Sequence, residues 1–327
     1  MLYLKSILLI IFIEYLLIIS HELIHILSGM INKLKISYIY IYPFIITKKN
    51  NKFKIFFTSK FIFNSSSYTK FKAINIIDEK DYKIKLKVLQ KHLLSSYIFD
   101  FIIFMSFFLL GLIKINLTFL TMVSIIHFII TTLNFFSFDG KYSIGSIYDE
   151  RIAFNLILHF TLLCDGKINE TTVNFLNKKY LSISKKIIIE KFNVNDLWNY
   201  INNLSFFKFH VIFYINGIFT EEDPNIFLFS EMLYKEYENI NLLDNRQIKE
   251  TSEFLILYYT ILYIKKNDIN FSFYEKFLIT QKCDKYFIDL YKQTKNKSCS
   301  ASSILPKEFA YTNQERKLLI NITNKVG

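Results

Sequence analysis

Residues Ser6–Leu27 read SILLIIFIEYLLIISHELIHIL, and this stretch decides how the rest of the chain is read. Almost every position is Ile, Leu, Phe or Tyr. At about 1.5 Å per helical residue the run is long enough to cross a hydrocarbon core of roughly 30 Å. Near its end stands His21-Glu22-Leu23-Ile24-His25, an HExxH pattern. Two imidazoles and a carboxylate are costly inside a bilayer unless something binds or hydrates them. A zinc ion with a local pocket of water does both. On a helix, positions four apart differ by about 40° in azimuth, so His21 and His25 point the same way and both can ligate one zinc. Glu22 lies roughly 60° round from His25, suited to touch a zinc-bound water rather than the metal. Zinc lowers the pKa of such a water to roughly 7, and a carboxylate so placed takes its proton and passes it to a leaving amine. Shuffling this composition yields an HExxH in roughly one chain in two hundred, so the pattern is seldom accidental.

Two histidines leave the site one protein ligand short of three plus water. Asn134 to Gly140 (Asn-Phe-Phe-Ser-Phe-Asp-Gly) closes another apolar run far downstream. Asp139 is the best candidate for the third ligand, and Gly140 allows a turn just after it. Without the HExxH, Asp139 would be read as a helix-ending aspartate facing water.

Three runs qualify as membrane spans: about 6–27, 93–113 and 117–138. Only Lys114-Ile115-Asn116 separates the last two, which makes them a tight helical hairpin. Between the first and second spans, Lys35–Tyr42 and Phe53–Phe57 alternate with period two, with Lys48-Lys49-Asn50-Asn51 as a turn. This predicts a short β segment, about 35–64, lying at the membrane surface. Asp78–Gln90 is charged and predicts a helix. The loop from Asn32 to Lys91 is rich in lysine and the hairpin loop carries one. The positive-inside rule therefore puts the N-terminus outside, the long loop and the C-terminal part in the cytoplasm, and His21, His25 and Asp139 near the cytoplasmic face.

The whole composition agrees with a membrane part joined to a water-exposed part. The 327 residues are 52% hydrophobic, yet 21% are charged. The net charge of +12 comes mostly from scattered lysine, which fits anionic lipid as a partner rather than nucleic acid. Cys164, Cys283 and Cys299 form neither a disulfide framework nor a zinc pattern. The N-terminal run exceeds a signal-peptide core and lacks a small-residue cleavage site, so it is read as retained. Residues 1–145 are thus expected to form a membrane-embedded core, and 146–327 a helical cytoplasmic domain. In the latter, Asp223-Pro224 is a start signal for a helix over Asn225–Tyr237. The runs 204–219 and 254–264 are read as core helices, with further membrane segments the open alternative.

In the order HExxH, lysine-rich β segment, helical hairpin and Asp-Gly, residues 1 to about 145 resemble the site-2 protease family of intramembrane metalloproteases. The resemblance implies a mainly α, integral-membrane fold with a three-span metalloprotease core and a short membrane-surface β segment. It implies that His21, His25 and Asp139 are zinc ligands, that Glu22 is the catalytic base, and that Asn134 positions the substrate strand. No PDZ-like or nucleotide-sensing module is apparent, so the chain looks like a small, divergent member; such members often process short peptides, and a membrane-associated peptide or transmembrane segment is the expected substrate. The chain departs from the family pattern at Phe135, Phe136, Ser137 and Lys141, where proline and a second glycine are usual.

Other polar groups fall in the same spans. Glu14 precedes His21 by seven residues and shares its azimuth, as a lining of the water path or as a protonated, bonded group. Asp100 and His127 read as polar contacts between spans, with Glu14 or Asp100 able to pair with His127. Asp149-Glu150 is an alternative source of a metal ligand, while His92, His159 and His210 read as structural or solvent-facing. Two other functions remain open: a non-catalytic membrane accessory that kept the fold, and a haem protein. The second is disfavoured because His21 and His25 are too close on one helix to bind opposite faces of one haem.

Overall fold

The computed structural model describes residues 2–49, 52–57, 67–113, 118–135, 138–162, 168–189, 196–215, 223–237, 245–266, 283 and 285–296. The described residues are mainly helical with one small sheet, and Met1–Ile168 and Asn169–Leu318 fall in two separate compact units.

The first unit opens with α1 (Leu2–Ile31), which carries the HExxH. It closes with a Schellman motif in which Lys33 takes the left-handed conformation, φ 59°. Leu34 N–H donates to the Gly29 carbonyl at 2.8 Å, and Lys33 N–H to that of Met30 at 3.0 Å. Four antiparallel strands follow: β1 (Ile36–Ile41), β2 (Phe44–Lys49), β3 (Lys52–Phe57) and β4 (Ser67–Phe71), in the order β3-β2-β1-β4. The Lys35–Tyr42 run is thus an inner strand, paired with β2 on one side and β4 on the other. The alternating stretches became β1 and β3. Strand β2 and strand β4, the latter beyond the expected limit at 64, were not apparent from alternation. Asn50-Asn51 of the expected turn lie outside the described residues.

The second long helix, α2 (Glu79–Ile113), joins the charged Asp78–Gln90 stretch and the expected span without a break. Asp78 caps it, accepting the Asp81 N–H at 2.7 Å, and Glu79 and Asp81 occupy its first turn, where the helix dipole favours acid. Next come α3 (Thr118–Phe135), α4 (Phe138–Tyr148) and α5 (Glu150–Leu162). Within the span expected over 117–138, the described helix α3 covers Thr118–Phe135, and Asp139 falls in the first turn of α4. Both α4 and α5 pack on α2.

Helices α1, α2 and α3 pack together, with the sheet against α1. Among the described residues, two helices are long and apolar enough to cross a membrane, Ile7–Ile31 and Glu79–Gly111, and α3 adds the shorter apolar stretch Thr121–Ile130. Only 11% of the α1 window and 17% of the α2 window are buried, whereas the core helix of a water-soluble protein would be mostly covered. Ile7, Leu8, Ile11 and Phe12 on α1, Phe101 and Ile102 on α2, and Met122 and Leu133 on α3 all face outward.

The second unit contains α6 (Glu170–Ile189), α7 (Leu197–Ile215), α8 (Pro224–Tyr237), α9 (Asn245–Lys266) and α10 (Lys285–Lys295). The Asp223-Pro224 start signal holds: Pro224 is the first residue of α8, and Asp223 accepts the Asn225 N–H at 3.0 Å. The described parts of the two debated apolar runs lie in α7 and α9, which pack on each other. Leu204, Phe206, Phe207 and Val211 of α7 and Phe254–Tyr259 of α9 are buried, so the described parts of these runs are core. Among them Lys208 sits between Glu250 at 3.0 Å and Glu253 at 2.8 Å. Burial opposes its charge, but the two carboxylates outweigh that and raise its pKa.

Candidate metal centre

Residues seven apart on a helix return to within about 20° of the same azimuth, and α1 uses this twice. One stripe is Tyr15, Glu22 and Gly29, which meets the sheet. The Tyr15 hydroxyl donates to the Tyr42 carbonyl at 2.7 Å, and the Thr69 hydroxyl donates to Glu22 Oε2 at 2.7 Å. At Gly29 an added Cβ would lie 2.6 Å from the Phe71 ring, so only glycine lets α1 and β4 approach this closely. The adjoining stripe is Glu14, His21 and His25, which meets α2 and α3. The HExxH is thereby split, with histidines turned to the helices and the glutamate to the sheet.

Helix α2 presents a matching face at four-residue spacing, His92, Ser96 and Asp100, all buried. His25 faces His92 with ring centroids 5.1 Å apart. One turn further back, His21 Nδ1 lies 2.6 Å from Asp100 Oδ2. On α3, His127 Nδ1 is 3.1 Å from Glu14 Oε2, and its Nε2 is 3.6 Å from Asp100 Oδ1. Both carboxylates named as possible partners of His127 are therefore beside it. Phe71 sets its ring edge-on to His92 at 4.8 Å, and Phe160 lies beyond, so aromatic rings shield this end of the site from solvent.

The His21 and His25 rings lie 4.9 Å apart, and Glu22 and His25 are both 6% exposed. Two imidazoles on one face, an acidic neighbour and a carboxylate behind one imidazole form a donor set that suits zinc. Among the described residues, however, no group of three or more His, Cys, Asp or Glu side chains is arranged to hold a metal ion. The side chains of Asp139 and Asn134 lie outside the described residues, though both backbones are helical, in α4 and α3. Asp149, the alternative ligand source, is instead bound by Arg151 at the start of α5, at 2.6 and 2.8 Å. Burial pushes its carboxyl up, but Arg151 outweighs that and holds it below the ordinary range.

Of the two alternatives open for His92, structural or solvent-facing, the structure shows the first, since it is 2% exposed against His25. Asp100 is the polar contact between spans that the sequence suggested, with the candidate ligand His21 as a partner, whereas Thr69 was not singled out. The spacing of His92, Ser96 and Asp100 on one face was the available signal for the first two.

In comparisons with known proteins, no family model, no curated protein and no solved structure matches the chain.

Proposed function

We propose that the chain is an integral-membrane zinc endopeptidase that cleaves a membrane-associated peptide or transmembrane segment near the cytoplasmic face. The observation that carries this reading is the HExxH itself, lodged in a bundle that is polar within and apolar without. His21 and His25 would hold the zinc together with Asp139. Bound there, zinc would supply the Lewis acid that polarises the scissile carbonyl and acidifies the attacking water. Glu22 takes the proton of that water on a carboxylate oxygen and delivers it to the amide nitrogen as the peptide bond breaks. Thr69 steadies the carboxylate through Oε2. Substrate must arrive extended, because a helix hides its carbonyls in hydrogen bonds. Strand β4 stands at the sheet edge and carries Thr69, so a substrate strand adding there would lie beside Glu22. Asn134 would position that strand.

A non-catalytic membrane accessory is the second reading, favoured by the lack of a third ligand among the described residues. The metal content of the detergent-purified protein decides between them. About one zinc per chain, lost in His21→Ala and in Asp139→Ala, supports the peptidase, and Glu22→Gln should then trap substrate. Zinc lost only with His21 moves the third ligand elsewhere, His92 being the next to test. No zinc in folded wild type after resupply rules the peptidase out.

A further inference from the structure

Asp100 lies in the middle of α2, 3% exposed, in a part of the helix whose outer face is Ile98, Phe101 and Ile102. A carboxylate so placed needs strong partners to remain there. Its partners are two imidazoles, each from a different helix. The shorter contact, 2.6 Å from Oδ2 to His21 Nδ1, is slightly shorter than the roughly 2.7–2.9 Å usual for a charge-assisted N–H···O hydrogen bond. A carboxylate accepts but does not donate, so the His21 hydrogen on this side sits on Nδ1. That leaves Nε2 with its lone pair as the donor to a metal and fixes the plane in which it points. The other oxygen, Oδ1, faces His127 Nε2 at 3.6 Å, and Glu14 backs His127 at 3.1 Å. Glu14, His127, Asp100 and His21 thus run in one line across α1, α3, α2 and back to α1.

We propose that Asp100 is a positioning residue for the metal site, holding His21 in the tautomer and orientation in which Nε2 binds zinc. This rests on the zinc reading above and adds to it a residue that neither the HExxH nor the Asp-Gly pattern contains. The competing explanation is a polar staple between helices, which stabilises packing and leaves the metal indifferent.

The two are separated by zinc affinity, measured by chelator competition at one fixed pH on the full-length, detergent-purified chain. Asp100→Asn retains an amide oxygen that can accept from Nδ1 but has no charge; it should bind zinc about tenfold more weakly. Asp100→Leu, with no acceptor, should lose about a hundredfold. The visible absorption of the cobalt(II)-loaded protein should shift in both variants, because it reports ligand orientation rather than helix stability. If Asp100→Leu fails to fold, Asp100→Asn alone decides. Wild-type affinity and an unshifted cobalt spectrum in Asp100→Asn, with thermal stability lowered, would establish the staple and overturn the proposal alone. A folded wild type that takes up no zinc would overturn the zinc reading and this inference with it.

Discussion

Glu22 and Thr69 meet across 47 residues of chain, and their hydrogen bond orients the carboxylate proposed above to move a proton. Valine matches threonine closely in volume but not in its hydroxyl, so Thr69→Val leaves the packing of β4 on α1 in place and removes one bond to a charged oxygen. A hydrogen bond of that kind contributes about 1.5–3 kcal/mol. Under the peptidase reading, Thr69→Val should therefore lower kcat by roughly ten- to a hundredfold, with zinc content unchanged. Single-turnover cleavage of the substrate caught by Glu22→Gln would check it, and an unchanged rate would remove Thr69 from the mechanism. The two halves of this site differ in how far they could be read from sequence. His21, Glu22 and His25 are legible because helical geometry alone places them. Their partners are not: Thr69 and Asp100 lie 47 and 79 residues away, and only packing decides which of many polar residues arrives.

At the scale of elements, the apolar runs gave the existence of α1, α2 and α3, but their ends followed backbone chemistry. Helix α2 runs on from charged to apolar sequence because a change in composition is not a break; no proline or glycine interrupts it before Gly111. The strand β2 was missed since Phe44-Ile45-Ile46 does not alternate, and β4 because its pairing with β1 is long-range. In the second unit, Asp223-Pro224 was legible as a local signal and α7 as a core helix, although the residues that bury it were not. That burial has a measurable consequence at His210, which is 1% exposed and stacks on Tyr180 at 3.8 Å. Burial lowers its pKa from 6.5 to about 3. The folded state thus resists a proton that the unfolded state accepts. The stability this represents is fully present above about pH 6.5 and is lost as pH falls from there towards 3. Between pH 6 and 4 the wild-type unfolding equilibrium should rise by roughly tenfold per pH unit relative to His210→Phe, which keeps the stacked ring and cannot titrate. Asp223, raised by burial, has the opposite sign but is common to both proteins, so the difference isolates His210. Parallel denaturation profiles of the two across this range would refute the assignment.

At the scale of the whole molecule, α1, α2 and α3 bury a row of polar groups between them and turn an apolar surface outward. Glu14, His21, Asp100 and His127 point inward, while Leu, Ile and Phe cover the outside of α1, α2 and α3. In water such an arrangement exposes a large apolar surface; in lipid it hides every charge. Under the membrane reading proposed above, helix α2, at 35 residues and about 52 Å long, exceeds the roughly 30 Å hydrocarbon core, and its charged beginning would stand outside it. The lysines would then set the side. Asn32–Lys91 carries fourteen lysines against three acidic residues, whereas the short link between α2 and α3 carries Lys114 alone. Positive charge is retained in the cytoplasm, so the start of α2 should be cytoplasmic and the link external. Single cysteines test this in a chain whose Cys164, Cys283 and Cys299 are replaced by serine. A membrane-impermeant maleimide should label Asn116→Cys in intact cells and Lys80→Cys only once the membrane is opened. The reverse pattern would invert the topology and place the HExxH at the outer face. Labelling of both from one side would mean that α2 does not cross, and the bundle would then need a partner other than lipid to cover its apolar surface.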